Sequence, residues 1–261
     1  MSRELGQTAP RDLRGDPPGV ADPIRLSVVL PVFAETDTVA QITDELVDGL
    51  GRDLHEVILV VASRAPEETW AVCRDVDRRV PQARVSEQRD NPGLGLGVRQ
   101  GIAEATGTHV LLMDSDGEMS AETVPRMVAE LRRAGADMVV ASRWMEGGGV
   151  EGYDRLKYFL NRGYQQLFRL LFRTRVHDLT LGFKLCRADI FKAMPWNSQF
   201  HDIGCETTLR PIRAGAVVSE VPTVWVCRKE GQSSNPFRNN FKYVWKALSI
   251  LLDPNHPRTR R

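Results

Sequence analysis

The run Val110-Leu111-Leu112-Met113-Asp114-Ser115-Asp116-Gly117-Glu118 sets three carboxylates directly behind four apolar residues. The apolar stretch predicts a buried strand. Acids at its end concentrate negative charge at the carboxyl edge of a sheet, where open α/β folds bind ligands. Carboxylates this close repel one another, so a cationic partner is expected. A hard divalent cation that also holds a diphosphate suits these oxygen donors, and a solvated acidic turn capping the next helix competes with it.

Basic and hydroxyl side chains supply the complementary chemistry. Arg143 ends a later predicted strand, and Arg162, Arg228 and Lys229 follow it. Guanidinium groups grip phosphate through paired donors, whereas lysine acts as a point charge; each of these side chains could equally be solvated. Asp178 and Thr180 open a turn, where a capping role is sufficient. Glu206 falls on a predicted helix, as a general base or as a structural acid paired with an arginine. The Gly93–Gly97 run joins a loop to a helix and lacks the spacing of a dinucleotide fingerprint.

These groups need a scaffold, and its elements are legible as alternating periods. Short β-rich or apolar runs at Leu26–Val32, Val57–Val61, Ala83–Ser86, Val110–Met113 and Asp137–Ser142 predict strands. Helical spacing covers Thr38–Leu50, Pro66–Val80, the stretch after Gly93, and Ala121–Ala134. Strands alternating with helices predict a mainly parallel sheet flanked by helices, an α/β fold whose strands are apolar on both faces. Beyond Arg143 the triple glycine 147–149 predicts a loop and Asp154–Arg173 a long helix. Phe183–Cys186 and Val217–Val226 predict further strands, with a helix over Thr207–Ala214 between them. Phe237–Leu252 predicts an amphipathic C-terminal helix, either docked on the domain or lying at a membrane interface beside the basic end of the chain.

Composition removes several classes. The chain has 261 residues, 42% of them hydrophobic, and a formal charge of +1, so nothing global suggests nucleic acid. Cys73, Cys186, Cys205 and Cys227 are scattered without a Cys-X-X-Cys pair, which argues against structural zinc and for reduced thiols in a cytoplasmic protein. Residues 1–23 lack a signal-peptide core and read as a disordered leader; no apolar run approaches the roughly 18 residues of a membrane span. Any membrane contact is therefore expected to be peripheral, on the inner face.

The joint order of the motifs carries a resemblance. Leu30-Pro31-Val32-Phe33-Ala34-Glu35 closes the first strand. Arg89 and the glycine run precede the acids, and Ala141-Ser142-Arg143 follows them. Asn161-Arg162-Gly163, Asp178-Leu179-Thr180 with Gly182-Phe183-Lys184, Glu206, and Arg228 to Ser234 complete the series. From about Leu26 to Leu252 this resembles family 2 inverting glycosyltransferases of the GT-A fold, most of all dolichol-phosphate mannose synthases and polyprenyl-phosphate glycosyltransferases. The resemblance implies one GT-A domain over residues 24–235, with residues 236–261 as helix and tail. It implies Mg²⁺ or Mn²⁺ on Asp114, Asp116 and Glu118, and donor contacts from Pro31, Phe33, Glu35, Ala62, Arg89, Asp114, Ser115 and Asp116. Phosphate or acceptor contacts fall to Arg143, Arg162, Arg228, Lys229 and Ser233, with Asp116, Arg143 and Arg228 catalytic. The implied donor is a GDP- or UDP-sugar and the implied acceptor a polyprenyl phosphate, which is already ionised and needs no base. A soluble small-molecule acceptor, or a nucleotide-sugar-binding partner subunit without turnover, are the alternatives. The second is raised by a departure: Ala62-Ser63-Arg64 stands where relatives carry an acidic pair that contacts the nucleoside.

Overall fold

The computed structural model describes residues 23–152, 154–227 and 240–254. Strands Leu26–Val32 (β1), Leu54–Ala62 (β2), Ala83–Gln88 (β3), His109–Leu112 (β4) and Met138–Ser142 (β5) are separated by helices Asp37–Leu50 (α1), Glu67–Arg79 (α2), Leu94–Glu104 (α3) and Thr123–Ala134 (α4). Then follow Gly149–Glu151 (β6), Arg155–Phe172 (α5), Lys184–Arg187 (β7), Ala188–Ala193 (α6), Ile203–Arg213 (α7), Val218–Pro222 (β8), Val224–Val226 (β9) and Asn240–Leu252 (α8).

Seven strands make one sheet in the order β3-β2-β1-β4-β7-β5-β8, in which only β7 runs antiparallel to its neighbours. Unbroken apolar strands conceal a period of two. Val28, Leu30, Val57 and Leu59 pack on one face beneath α1, α2 and α4. Val29, Ile58 and Val60 pack on the other beneath α3, α6 and α7. A third cluster joins Phe168 of α5, Leu209 of α7 and Ala247 and Ile250 of α8. The apolar side of the C-terminal helix therefore docks on the domain.

The expected strands and helices are present with local corrections. Gly147–149 is not wholly a loop: the Gly149 amide donates to the Thr223 carbonyl (3.1 Å) and opens β6, which pairs in parallel with β9. The single strand expected over Val217–Val226 is two. Residues up to Pro222 pair with β5, and the chain then leaves the main sheet at Thr223 for the small ribbon. The glycine run, and Gly101 after it, serve packing. A Cβ on Gly101 would lie 2.3 Å from Val29 Cγ1, so its absence lets α3 rest on β1, and the Gly95 amide donates to the Gln199 carbonyl at 2.9 Å. The leader falls largely within residues 1–22, which lie outside the described residues, as does the tail beyond residue 254.

Candidate functional site

The carboxyl ends of β2, β1 and β4 lie side by side, because β1 pairs in parallel with both of the others. Beyond β4, the Met113 amide still donates to the Val29 carbonyl (3.3 Å). Ser115 then turns inward, is buried, and donates its hydroxyl to the Pro31 carbonyl at 2.6 Å. That bond pins the chain between two acids, leaving Asp114 and Asp116 half-buried at the sheet edge. Gly117, at φ +75°, turns the chain in a region favourable only to glycine, and Asp116 Oδ1 accepts the Glu118 amide at 3.0 Å. The antiparallel β7 brings the preceding Gly182 alongside: a Cβ there would lie 3.6 Å from Asp114 Oδ2. A side chain at 182 would intrude on the space that carboxylate faces.

Glu118 has a bracing role in the fold beside the one expected of it. Its Oε2 accepts the Trp225 indole N–H at 2.9 Å, and its carbonyl accepts the Val226 amide at 2.9 Å. It ties the acidic turn to β9. Among the described residues no three His, Cys, Asp or Glu side chains gather closely enough to hold a metal ion, so the expected three-carboxylate set is not assembled. Two carboxylates still fit a cation such as Mg²⁺ or Mn²⁺, which completes its shell with water and substrate phosphates rather than with an all-protein cage. Asp114 and Asp116 supply hard oxygen donors of that kind.

Arg143 is held as half of a buried pair. Its Nε donates to Asp178 Oδ2 (2.7 Å), one Nη to Oδ1 (3.0 Å), and its own amide to Oδ2 (3.1 Å). The same Nη reaches Thr180 Oγ1 at 3.2 Å, which also accepts from the Gln165 amide group at 2.8 Å. Gln165 Oε1 accepts the Leu179 amide (2.8 Å), so this buried glutamine of α5 clamps the turn. Burial alone would raise the Asp178 carboxyl, but the Arg143 charge and the hydrogen bonds from Arg143 and Thr180 hold it below its ordinary range. Gln165 and Trp225 were not singled out from sequence. Gln165 falls on the side of α5 opposite the apolar row that the sequence shows, and nothing local marked either residue.

The remaining expected residues divide. Ala62 ends β2. Glu35 Oε2 accepts the amides of Phe33 (2.8 Å) and Ala34 (3.0 Å), and the Arg64 guanidinium lies 5.2 Å from the exposed Phe33 ring centroid. Phe33, Ala34, Glu35, Ala62 and Arg64 therefore share the β1–β2 end of the edge with Pro31. Arg89 is turned away: its guanidinium pairs with Glu104, at the far end of α3, at 2.8 Å. Arg162 is exposed on α5 and is not brought to the acids by any described contact. Arg228, Lys229 and Ser233 lie outside the described residues. Glu206 is a structural acid: it is buried, pairs with Arg210 Nε at 2.8 Å, and accepts the amides of Asn197 and Ser198. Lys184 is fully buried, donates to the Gly204 carbonyl (2.6 Å) and to Thr207 and Thr208, and is pushed down to about 7 by that burial.

Known proteins resemble this chain in sequence and in fold. The sequence pattern described as glycosyl transferase family 2 matches residues 27–194. A dolichol-phosphate mannosyltransferase of Pyrococcus furiosus is 24% identical over 232 residues, which cover 87% of this chain and 64% of that protein. The chain thus spans less than two thirds of that relative. An undecaprenyl-phosphate mannosyltransferase of Micrococcus luteus is 27% identical over 220 residues, covering 80% of this chain and 87% of the relative. Among solved structures, glucosyl-3-phosphoglycerate synthase of Mycobacterium tuberculosis with Mn²⁺, UDP-glucose and phosphoglyceric acid superposes with a TM-score of 0.66 at 17% identity, over 88% of this chain and 81% of that one. The same enzyme with Mg²⁺ and UDP gives 0.64, also at 17%, over 87% and 78%. The fold is that of GT-A glycosyltransferases, and the chain belongs to glycosyl transferase family 2.

Proposed function

We propose that the protein transfers a sugar, with inversion, from a nucleotide-sugar donor to a polyprenyl phosphate. The observation that carries the transferase reading is the pair Asp114 and Asp116, pinned by Ser115 at the edge where β1, β2 and β4 end. These carboxylates would hold Mg²⁺ or Mn²⁺, which supplies charge neutralisation to a departing nucleoside diphosphate. Phe33, Glu35 and Arg64 border the space open to the nucleoside. Arg64, standing where an acid is expected, carries a positive charge towards the donor end of the edge.

In the reaction, an acceptor phosphate oxygen forms a bond to the anomeric carbon as the bond to the diphosphate breaks on the opposite side. A phosphate oxygen is already anionic at neutral pH, so no proton need be removed. The acids nearby fit this: Glu206, one candidate base, is paired with Arg210, and Asp202, at the start of the same helix, is paired with Lys246 at 3.3 Å. The names of the two curated relatives support the same acceptor class. A cleft of about 310 Å³ lined by Val150, Arg155, Tyr158 and Phe159 offers an apolar wall with a guanidinium beside it. Val150 pairs with Trp225, the residue bonded to Glu118, so the cleft is one strand pairing away from the acidic turn.

Organic extraction after incubation with labelled GDP-mannose or UDP-glucose, Mn²⁺ and undecaprenyl phosphate tests the reading. Label should enter the organic phase with the wild type and fall by at least about 100-fold with Asp116→Asn, the scale of losing a principal electrostatic group. Label found only on water-soluble products would identify a small-molecule acceptor instead. Full turnover by Asp116→Asn would remove the metal assignment.

A further inference from the structure

Helix α5 has a second apolar stripe that the other described residues leave exposed. Its inner side supplies Gln165 and Phe168, both buried. On its outer side Leu156, Phe159, Leu167 and Leu170 are 63%, 70%, 40% and 77% exposed. Their spacing of three and four residues places them in one row. Gly163 falls within the row, and a Cβ built there meets nothing within 4 Å among the described residues. Arg155 and Arg162 are exposed, and at 100° per residue they fall along one flank of the row; Arg173, also exposed, follows directly after the last turn of the helix. From Arg155 to Arg175 the chain holds six Lys and Arg and no Asp or Glu.

We infer that the outer face of α5 docks on an anionic lipid surface. An apolar row bordered by cations, on a helix rigidly anchored by its other side, suits insertion at the headgroup level of a bilayer. The charge pattern favours that occupant over a second copy of the chain: a two-fold interface would set α5 against α5 and gather six cations from each copy, with only Glu151 and Asp154 at the start of the helix to offset them. Anionic headgroups supply the missing charge, with each nearby cation contributing about 1 kcal/mol, a factor of about five in partitioning. On α8, which packs against α5 through the third cluster, Trp245 is likewise exposed. No helix among the described residues is long and apolar enough to cross a membrane, so this contact is lateral. It goes beyond the transfer reading and is measured without donor or acceptor, so either can fail alone.

The full chain is sedimented with vesicles of phosphatidylcholine, and with vesicles in which about a third of the lipid is phosphatidylglycerol. Retention is expected on the anionic vesicles only, weakening in about 0.5 M salt as the surface charge is screened. The double variant Leu170→Glu/Arg173→Glu should reduce the partition coefficient by at least tenfold, with melting temperature unchanged because both side chains are exposed. Leu156→Ser/Phe159→Ser should reduce it as well, which separates insertion from charge alone. Equal retention of wild type and both variants, or equal retention on neutral vesicles, overturns the inference. A concentration-dependent dimer abolished by the same variants, without vesicle retention, assigns the row to a second copy and overturns it too.

Discussion

Asp178 is completely buried and Arg143 is its counter-charge, and that pairing sets the consequence of mutation. Removing one partner of a buried ion pair leaves an uncompensated charge, which costs about 3–5 kcal/mol. Arg143→Ala should therefore lower stability by that amount in urea denaturation, before any effect on turnover is counted. Arg143→Lys should recover only part, since an ammonium cannot reproduce the paired guanidinium contacts. From sequence, Arg143 was visible as a cation at a strand end, but its partner 35 residues away was not; long-range pairing has no local signature. Glu206 was legible to the extent that a structural acid beside an arginine was one of its two readings. Lys184 yields a prediction of opposite sign to the usual ion-pair case. Its folded value of about 7 lies below the ordinary 10.5, so between these pH values the unfolded chain binds more protons and stability rises with pH. The slope is at most about 1.4 kcal/mol per pH unit. Lys184→Met should abolish this contribution. The buried thiols Cys186 and Cys205, which burial pushes up, act in the reverse direction and remain in both proteins. The difference between the two denaturation profiles isolates the lysine.

Among elements, the contact of α3 with β1 depends on the width of one residue. Gly101→Val places its Cβ 2.3 Å from the present position of Val29 Cγ1, and the added branch must go further. Overpacking of a fixed interface costs about 1–3 kcal/mol, more than the few tenths by which valine favours a helix over glycine. A fall in melting temperature is expected, and a rise would show that α3 is free to shift. The same element marks what periodicity can convey. The β1 to β5 succession was legible because an apolar run bounded by turn residues is a local signal. The break at Pro222–Thr223 was not, because it depends on which partner strand is available on each side: β5 before it, β6 after. Likewise the exposed row on α5 reads in sequence as one side of an ordinary amphipathic helix. Only packing reveals that Phe168 and Gln165 take the inner face and leave Phe159 and Leu170 outside.

At the scale of the whole molecule, the antiparallel β7 divides the sheet between a half that ends in Asp114 and Asp116 and a half that ends in Arg143 and Thr223. The acidic turn bridges them, because Glu118 reaches across to an indole on β9. The chain carries five tryptophans, but Trp225 alone has its ring nitrogen tied to a carboxylate by a described hydrogen bond. That gives the molecule an internal optical gauge. Charge brought to Asp114 and Asp116 alters the field felt by the neighbouring Glu118 and hence by the excited indole. Titration with Mg²⁺ and UDP should shift the emission, and the shift should shrink in Trp225→Phe while nucleotide affinity measured by calorimetry persists. An unaltered shift in that variant would place the responding chromophore elsewhere. The bond that braces a loop thus also lets occupancy of the edge be followed by light, without a label.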